Sequence, residues 1–417
     1  MEFSEDIKKL LADRYPDKDI YNMNLEELKA FREEIENLRE EYSLIEAANK
    51  VLSNGAYGAM ASTGEYFYNL ALAGDITGEC RELTKWMWNR MEQFFHEDIW
   101  ERKDLWEKYN FELDESKHEW YRGVTISTYS DTDSVYVVFG DLFKCMTPKY
   151  QEVYKDNKAK LNWVVNFAKD FMGKQNKEWL DAMYNPRGGK NVHEFELETV
   201  SHGIFIKKKK YLKAVLYNKG KFMDKYKMSG TGIEIIKSTT PKICRTMLKD
   251  LLEDLLFNSG KMPIDEYVFY FNNILGQKKK EFYAAPIEDI SQSVGVGAYK
   301  KYIIDDKEEL IFSKQTPVSV KAIARYNHLA YKNGEGDKRV TSGKIKYYNI
   351  TINSKTGNTD YFGFPSGELP SWAPEVDKSV QWRKNIIDPI NRFLEVMKIP
   401  LVNASGIIQL DLFGFNN

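Results

Sequence analysis

Cysteine is scarce in this chain of 417 residues: Cys80, Cys145 and Cys244 stand far apart. That spacing excludes a disulfide framework and leaves no C-x-x-C half-site for structural zinc. The five histidines are scattered without ligand spacing and receive no role. Long apolar runs are missing too. No stretch approaches the roughly 18 residues of a membrane span, and the acidic opening MEFSEDIKK does not read as a secretory leader. With 42% apolar, 14% aromatic and 29% charged residues, a globular protein of a reducing, cytoplasmic setting is expected. The length exceeds one ordinary core, so two or more domains are expected. No repeat or low-complexity linker marks their boundaries.

The net charge of −2 hides a local excess. Between Lys207 and Lys249, thirteen Lys and Arg face two acids, Asp224 and Glu234, leaving 47 basic and 60 acidic residues elsewhere. A concentrated basic segment in an otherwise acidic chain suits a polyanion; a solvated charged surface would read the same.

Residues 24–60 predict one long helix, opened by Asn24 with Glu27 three later in a capping-box pattern. Leu28, Phe31, Ile35, Leu38, Tyr42, Ile45, Asn49 and Leu52 follow a 3-4 spacing, with Glu and Arg between them. That is a narrow seam of coiled-coil type, which needs a partner helix. The short helical stretch at 4–13 is too small to cover it. The long helix continues through KVLSNGAYG (50–58), where Lys50, Asn54 and Tyr57 share a face. Gly55 and Gly58 each cost about 1 kcal/mol relative to Ala inside a helix, so close approach by another group is expected there. A lysine, a ring and bare backbone on one stripe can hold a triphosphate and stack on a base. A helix-packing face would look much the same.

GVTISTYSDTDSVYVVFG has β-rich arms around a polar tip and predicts a hairpin. At that tip Asp131 and Asp133 stand two apart, an arrangement that suits a hard cation such as Mg²⁺. An Asx-type turn would use the same residues. FELETVSHGIFIKKKKYLKAVLYNKGKF supplies further strands, with Lys209 and Tyr211 expected on one face. A lysine there can reach minor-groove acceptors common to all base pairs, while its neighbours neutralise phosphates. From KSTTPKICRTMLKDLLEDLL onward helical periods dominate, and SGIIQLDLFGFNN reads as a flexible tail with exposed apolar anchors.

In order along the chain, these motifs resemble those of family B DNA polymerases. KVLSNGAYG is similar to their K-x-x-x-N-S-x-Y-G helix, YSDTDS to their Y-G-D-T-D-S palm hairpin, and KKKY to their K-K-R-Y primer-binding motif. GIEIIKSTTPK resembles the entry to the thumb in T-even-type phage polymerases, and PVSVKAIARYN, FPSGE and the Leu/Phe tail keep that order. The resemblance spans essentially the whole chain. It implies an α+β fold: a right-hand polymerase palm, an antiparallel sheet with helices, with part of the helical fingers and a mainly helical thumb. The implied domains are 1–60 fingers, 61–222 palm, 223–405 thumb and 406–417 a sliding-clamp-binding tail.

Residue by residue, the resemblance implies that Asp131 and Asp133 are catalytic ligands of two Mg²⁺ ions, with Glu198 a further acid near them. Lys50 would contact the dNTP triphosphate, while Asn54 and Tyr57 would line the nascent base pair. Thr132 and Ser134 would shape the hairpin around the primer end. Lys208, Lys209, Lys210, Tyr211, Lys237 and Lys242 would grip primer-template DNA. Gln409, Leu410, Leu412, Phe413 and Phe415 would dock a phage or host β clamp, since QLDLF resembles the motif that such clamps bind. Gly55 replaces the usual Ser and Ser130 the usual Gly.

The D-x-x-S-L-Y-P-S motif that carries a third Asp does not occur, nor does the 3′-5′ exonuclease signature or the first fingers helix. FSEDIKKLL resembles the loop at the fingers tip. The expectation is therefore the C-terminal subunit of a split phage polymerase in the host bacterial cytoplasm. It would be active only with an N-terminal subunit that supplies the remaining ligand and covers the seam at 28–52. The alternatives are a non-catalytic DNA-binding and clamp-tethering subunit, or a truncated piece of an intact polymerase.

Overall fold

The computed structural model describes residue 15 and residues 23–188, 191–353, 358–403 and 405–409. The expected helix at 4–13 and the clamp-binding positions Leu410, Leu412, Phe413 and Phe415 lie outside the described residues.

Helix α1 (Leu25–Ala61) begins where the sequence places it. Asn24 Oδ1 accepts from Glu26 N and Glu27 N, and the Glu27 carboxylate accepts from Asn24 N at 2.8 Å, which closes the capping box. Along the helix only Phe31 is buried, edge-on to Tyr15 at 5.0 Å between ring centroids. Leu28, Ile35, Tyr42, Ile45 and Leu52 are exposed, and Leu38 is half-buried. After a turn, Asn69 accepts from Leu72 N and starts α2 (Leu70–Gln93), whose Leu83, Thr84, Met87 and Met91 form a buried stripe. Phe94, Phe95, Ile99, Trp100 and Tyr121 extend that core.

Strands β1 (Ser127–Asp131) and β2 (Ser134–Val137) pair antiparallel as the expected hairpin. Two of the histidines are structural here. His96 Nε2 lies 2.8 Å from Val124 O, and His118, stacked on Trp100, lies 2.7 Å from His96 O.

By contacts the chain divides into two units, Met1–Asp104 with Leu113–Cys145, and Leu105–Glu112 with Met146–Asn417. In the second unit, helices at Pro148–Val153, Asn157–Asn166 and Gly173–Tyr184 precede an antiparallel meander, β3 (Thr199–Lys207), β4 (Lys210–Asn218) and β5 (Lys221–Thr231). Leu212 and Ala214 bury one face of β4, as period-two alternation requires. Ile204 and Leu212 share a core with α3 (Lys242–Asn258) and α4 (Ile264–Ala284). The expected palm-to-thumb boundary at 222 falls inside β5.

The region after 223 is less helical than its periods suggest. It contains a three-stranded sheet in the order β10-β9-β6, built from β6 (Gln292–Val296), β9 (Gly343–Asn353) and β10 (Asn358–Pro365). A short ribbon, β7 (Ile303–Asp305) with β8 (Ile311–Phe312), stands apart from that sheet. Helix α5 (Val318–Lys332) packs on β10 so closely that a Cβ at Gly363 would lie 3.1 Å from Ala322. Helix α6 (Asp388–Val396) buries Ile390, Phe393 and Leu394. The expected flexible tail is anchored at its start: Ile408 is buried, bridges Val402, and exchanges hydrogen bonds with Asn272. Among the described residues no helix is long and apolar enough to cross a membrane.

Candidate functional site

In the first unit the Asp131–Asp133 pair sits at the end of a tight turn. Asp131 pairs with Ser134 as the last rung of the hairpin, so Thr132 and Asp133 form the loop. Asp133 N donates to Asp131 O at 2.6 Å, and Ser134 Oγ donates to the same oxygen at 3.0 Å. Thr132 has φ +56°, a left-handed conformation that costs energy for a β-branched residue. Buried Thr84, on α2, places its hydroxyl 3.0 Å from Thr132 O and 2.7 Å from Cys80 O, so its one proton is shared between the loop and its own helix. Two turns further along α2, Glu92 accepts from Ser127 N at 2.6 Å at the base of β1.

One helix thus grips both ends of the hairpin. Neither Thr84 nor Glu92 was singled out from sequence; the available signal was a polar Thr84 on the apolar stripe of α2. Asp131 is half-buried and accepts from Tyr129 Oη at 3.2 Å, while Asp133 is exposed. Two oxygen-donor carboxylates two residues apart fit part of the shell of a hard cation. Among the described residues no three His, Cys, Asp or Glu side chains gather into a complete one.

Lys50, Asn54 and Tyr57 are exposed along α1. The close approach expected at Gly55 and Gly58 is not made within the described chain, since a Cβ at either would meet open space.

In the second unit Lys208 and Lys209 form the two-residue turn between β3 and β4, with Lys209 at φ +57°. This corrects the expectation of Lys209 and Tyr211 as face-sharing strand residues: Lys209 is a turn residue, and the face Tyr211 shares is with Lys213. The Lys213 ammonium lies 5.9 Å from the Tyr211 ring, which tilts against Phe205 at 5.2 Å. Lys208 and Lys209 are exposed, and Lys210 is half-buried.

The turn is backed by a glycine pair. A Cβ at Gly230 would lie 2.7 Å from Tyr211 O, and one at Gly232, itself at φ +65°, would lie 2.3 Å from Lys209 O. SGTG was not recognised as part of this site in sequence, although paired glycines inside the basic segment were its signal.

Lys237 is drawn inward to Glu234 at 3.1 Å, and Glu234 also takes Arg392 at 3.2 Å. Burial pushes the Glu234 carboxyl up, but the Arg392 guanidinium and Lys237 hold it below its ordinary value. Lys242 is exposed at the first position of α3, where its charge opposes the helix dipole. Glu198 is exposed just ahead of β3, and its carbonyl accepts from Lys219 N at 2.8 Å. Gln409 is exposed.

No protein-family model matches this chain. No curated protein matches it either.

Proposed function

We propose that the chain is the C-terminal subunit of a split family B DNA-directed DNA polymerase of T-even phage type, extending a primer with dNTPs beside an N-terminal subunit. The observation that carries this reading is the hairpin tip, where two carboxylates flank a strained Thr132 that α2 holds in place. Strain retained at a polar tip points to a positional task. Asp131 and Asp133 would hold divalent ions, and the partner's acid would complete the shell. When bound, such ions favour deprotonation of the primer 3′-hydroxyl and neutralise the departing pyrophosphate.

The chain's own residues do the positioning. Lys50 offers its charge to the triphosphate, and Asn54 and Tyr57 offer an amide and a ring to the nascent pair. Lys208, Lys209 and Lys210 neutralise primer phosphates, with Tyr211 behind them, and Lys242 adds charge downstream. Lys237 contributes less, because Glu234 already pairs with it. The segment from Gln409 to Phe415 tethers the assembly to a clamp, raising its effective concentration at the primer end.

A second reading, a non-catalytic DNA-binding and clamp-tethering subunit, draws on the incomplete acid cluster among the described residues. Primer extension separates the two. The chain alone should not extend a primer, and adding the N-terminal half should restore template-directed synthesis in Mg²⁺. Asp133→Ala should abolish synthesis by the pair while primer-template binding persists. Robust extension by the single chain would overturn the split site. Near-normal rates in the variant would overturn the metal assignment, and DNA binding without synthesis in every mixture would favour the second reading.

A further inference from the structure

The second unit contains a pocket of about 230 Å³ whose wall includes Lys279, Tyr283, Trp382, Arg383, Asp388 and Gly406. Trp382 is 3% exposed, yet its indole N–H has no hydrogen-bond partner among the described residues. Buried donors are almost always paired, so an orphan on a pocket wall marks a missing acceptor. Gly406, at φ +84°, leaves both donors uncovered: a Cβ there would lie 3.3 Å from Lys279 Nζ and 3.9 Å from Trp382 Nε1, so a side chain at this position would crowd the two groups.

Lys279 Nζ donates to Ser405 O at 3.3 Å and keeps further N–H groups for a ligand. Arg383 is exposed at the rim and has no ion-pair partner among the described residues. Asp388 is the single acid of the lining, against these two cations. The walls are held in place. Asn391 exchanges hydrogen bonds with Val402 N and O at 2.9 and 3.0 Å, and Asn403 Oδ1 accepts from Ser405 N at 2.9 Å.

We propose that this pocket binds a phosphate-class oxyanion, held by Lys279, the Trp382 indole N–H and Arg383. The proposal is independent of the polymerase reading. A volume of about 230 Å³ has room for one oxyanion and residual water. It falls below the roughly 300 Å³ at which small-molecule clefts begin. The ligand is therefore a free ion or the terminal phosphate of a nucleic acid.

The full-length chain labelled with nitrogen-15 tryptophan tests this, because Trp382→Phe removes one of nine indole signals and so assigns it. Inorganic phosphate, titrated at constant ionic strength against chloride, should move that signal saturably. Lys279→Gln should lower the affinity about tenfold, the worth of one charge-assisted hydrogen bond. Arg383→Gln, on the exposed rim, should lower it without disturbing the other indole signals. Movement with inorganic phosphate identifies a free ion. Movement only with a 5′-phosphorylated oligonucleotide, and not its unphosphorylated twin, identifies the same group on nucleic acid. A signal that neither moves, or that chloride moves equally, overturns the proposal.

Discussion

Gly220 and Gly232 both have positive φ, at +87° and +65°, but only Gly232 is also crowded. Gly220 ends the β4–β5 turn behind Lys219, itself at φ +42°, and a Cβ there would meet open space. Gly232→Ala should therefore cost at least about 2 kcal/mol, adding a clash with Lys209 O to the left-handed penalty. Gly220→Asn should cost less than about 1 kcal/mol, because Asn tolerates that conformation. Urea unfolding midpoints of the two variants check the contrast, and equal midpoints would contradict the backing role of Gly232. Thr84→Val tests the hairpin in the same way. It removes the hydroxyl that fixes Thr132 O and should cost about 1 kcal/mol of stability. Primer extension by the assembled pair should fall, with DNA binding retained. Unchanged extension would show that the tip holds its geometry without α2.

At the scale of elements, α1 is the outlier. Thirty-seven residues at 1.5 Å rise make a rod of about 55 Å with one buried side chain among those described. A helix of this length with an exposed 3-4 seam gains little from propensity alone and most from a packed partner. Leu38→Asp should weaken association with the N-terminal half more than it weakens DNA binding by this chain. Its effect on the isolated chain's unfolding should be small, since the seam around Leu38 is already exposed. Co-purification of the two halves measures it, and unchanged association would place the main joint elsewhere.

For the whole molecule, the organising fact is that neither unit is continuous in sequence. The segment Leu105–Glu112 belongs with the second unit although residues of the first flank it on both sides. Asp170 anchors that segment, accepting from Tyr109 Oη at 2.7 Å and pairing with Lys108 at 2.9 Å and Lys174 at 3.2 Å. Hydrogen bonds from Lys108, then Tyr109 and Lys174, hold its carboxyl well below the ordinary range. A depressed folded-state pKa stabilises above the unfolded value and loses that contribution as pH falls through the folded one. Asp170→Asn should thus be less stable than the native chain at neutral pH, and the gap should close as pH falls below about 4. The difference should stay under about 1 kcal/mol, because the side chain is 43% exposed. A pH series of unfolding midpoints reads it, and a gap that widens in acid would refute the assignment.

What the sequence determined by itself is local. The cap at Asn24, the run of α1, the Asp131–Asp133 hairpin and the basic run 207–210 each depend on neighbours within about four residues, and each was legible there. The β9–β10 hairpin was not read from the sequence, because the β-rich stretch KIKYYNITI stands among helical periods. Tertiary structure decided the rest. The Thr84 hold on Thr132 spans 48 residues, and Gly232 meets Lys209 across a strand. Phe31 is buried while Ile35, one turn on, is exposed, although both belong to one seam. The same apolar pattern serves a packed face and an open one, because burial depends on what arrives from elsewhere in space. The orphaned Trp382 donor belongs to this second class, since no sequence window contains both it and Gly406.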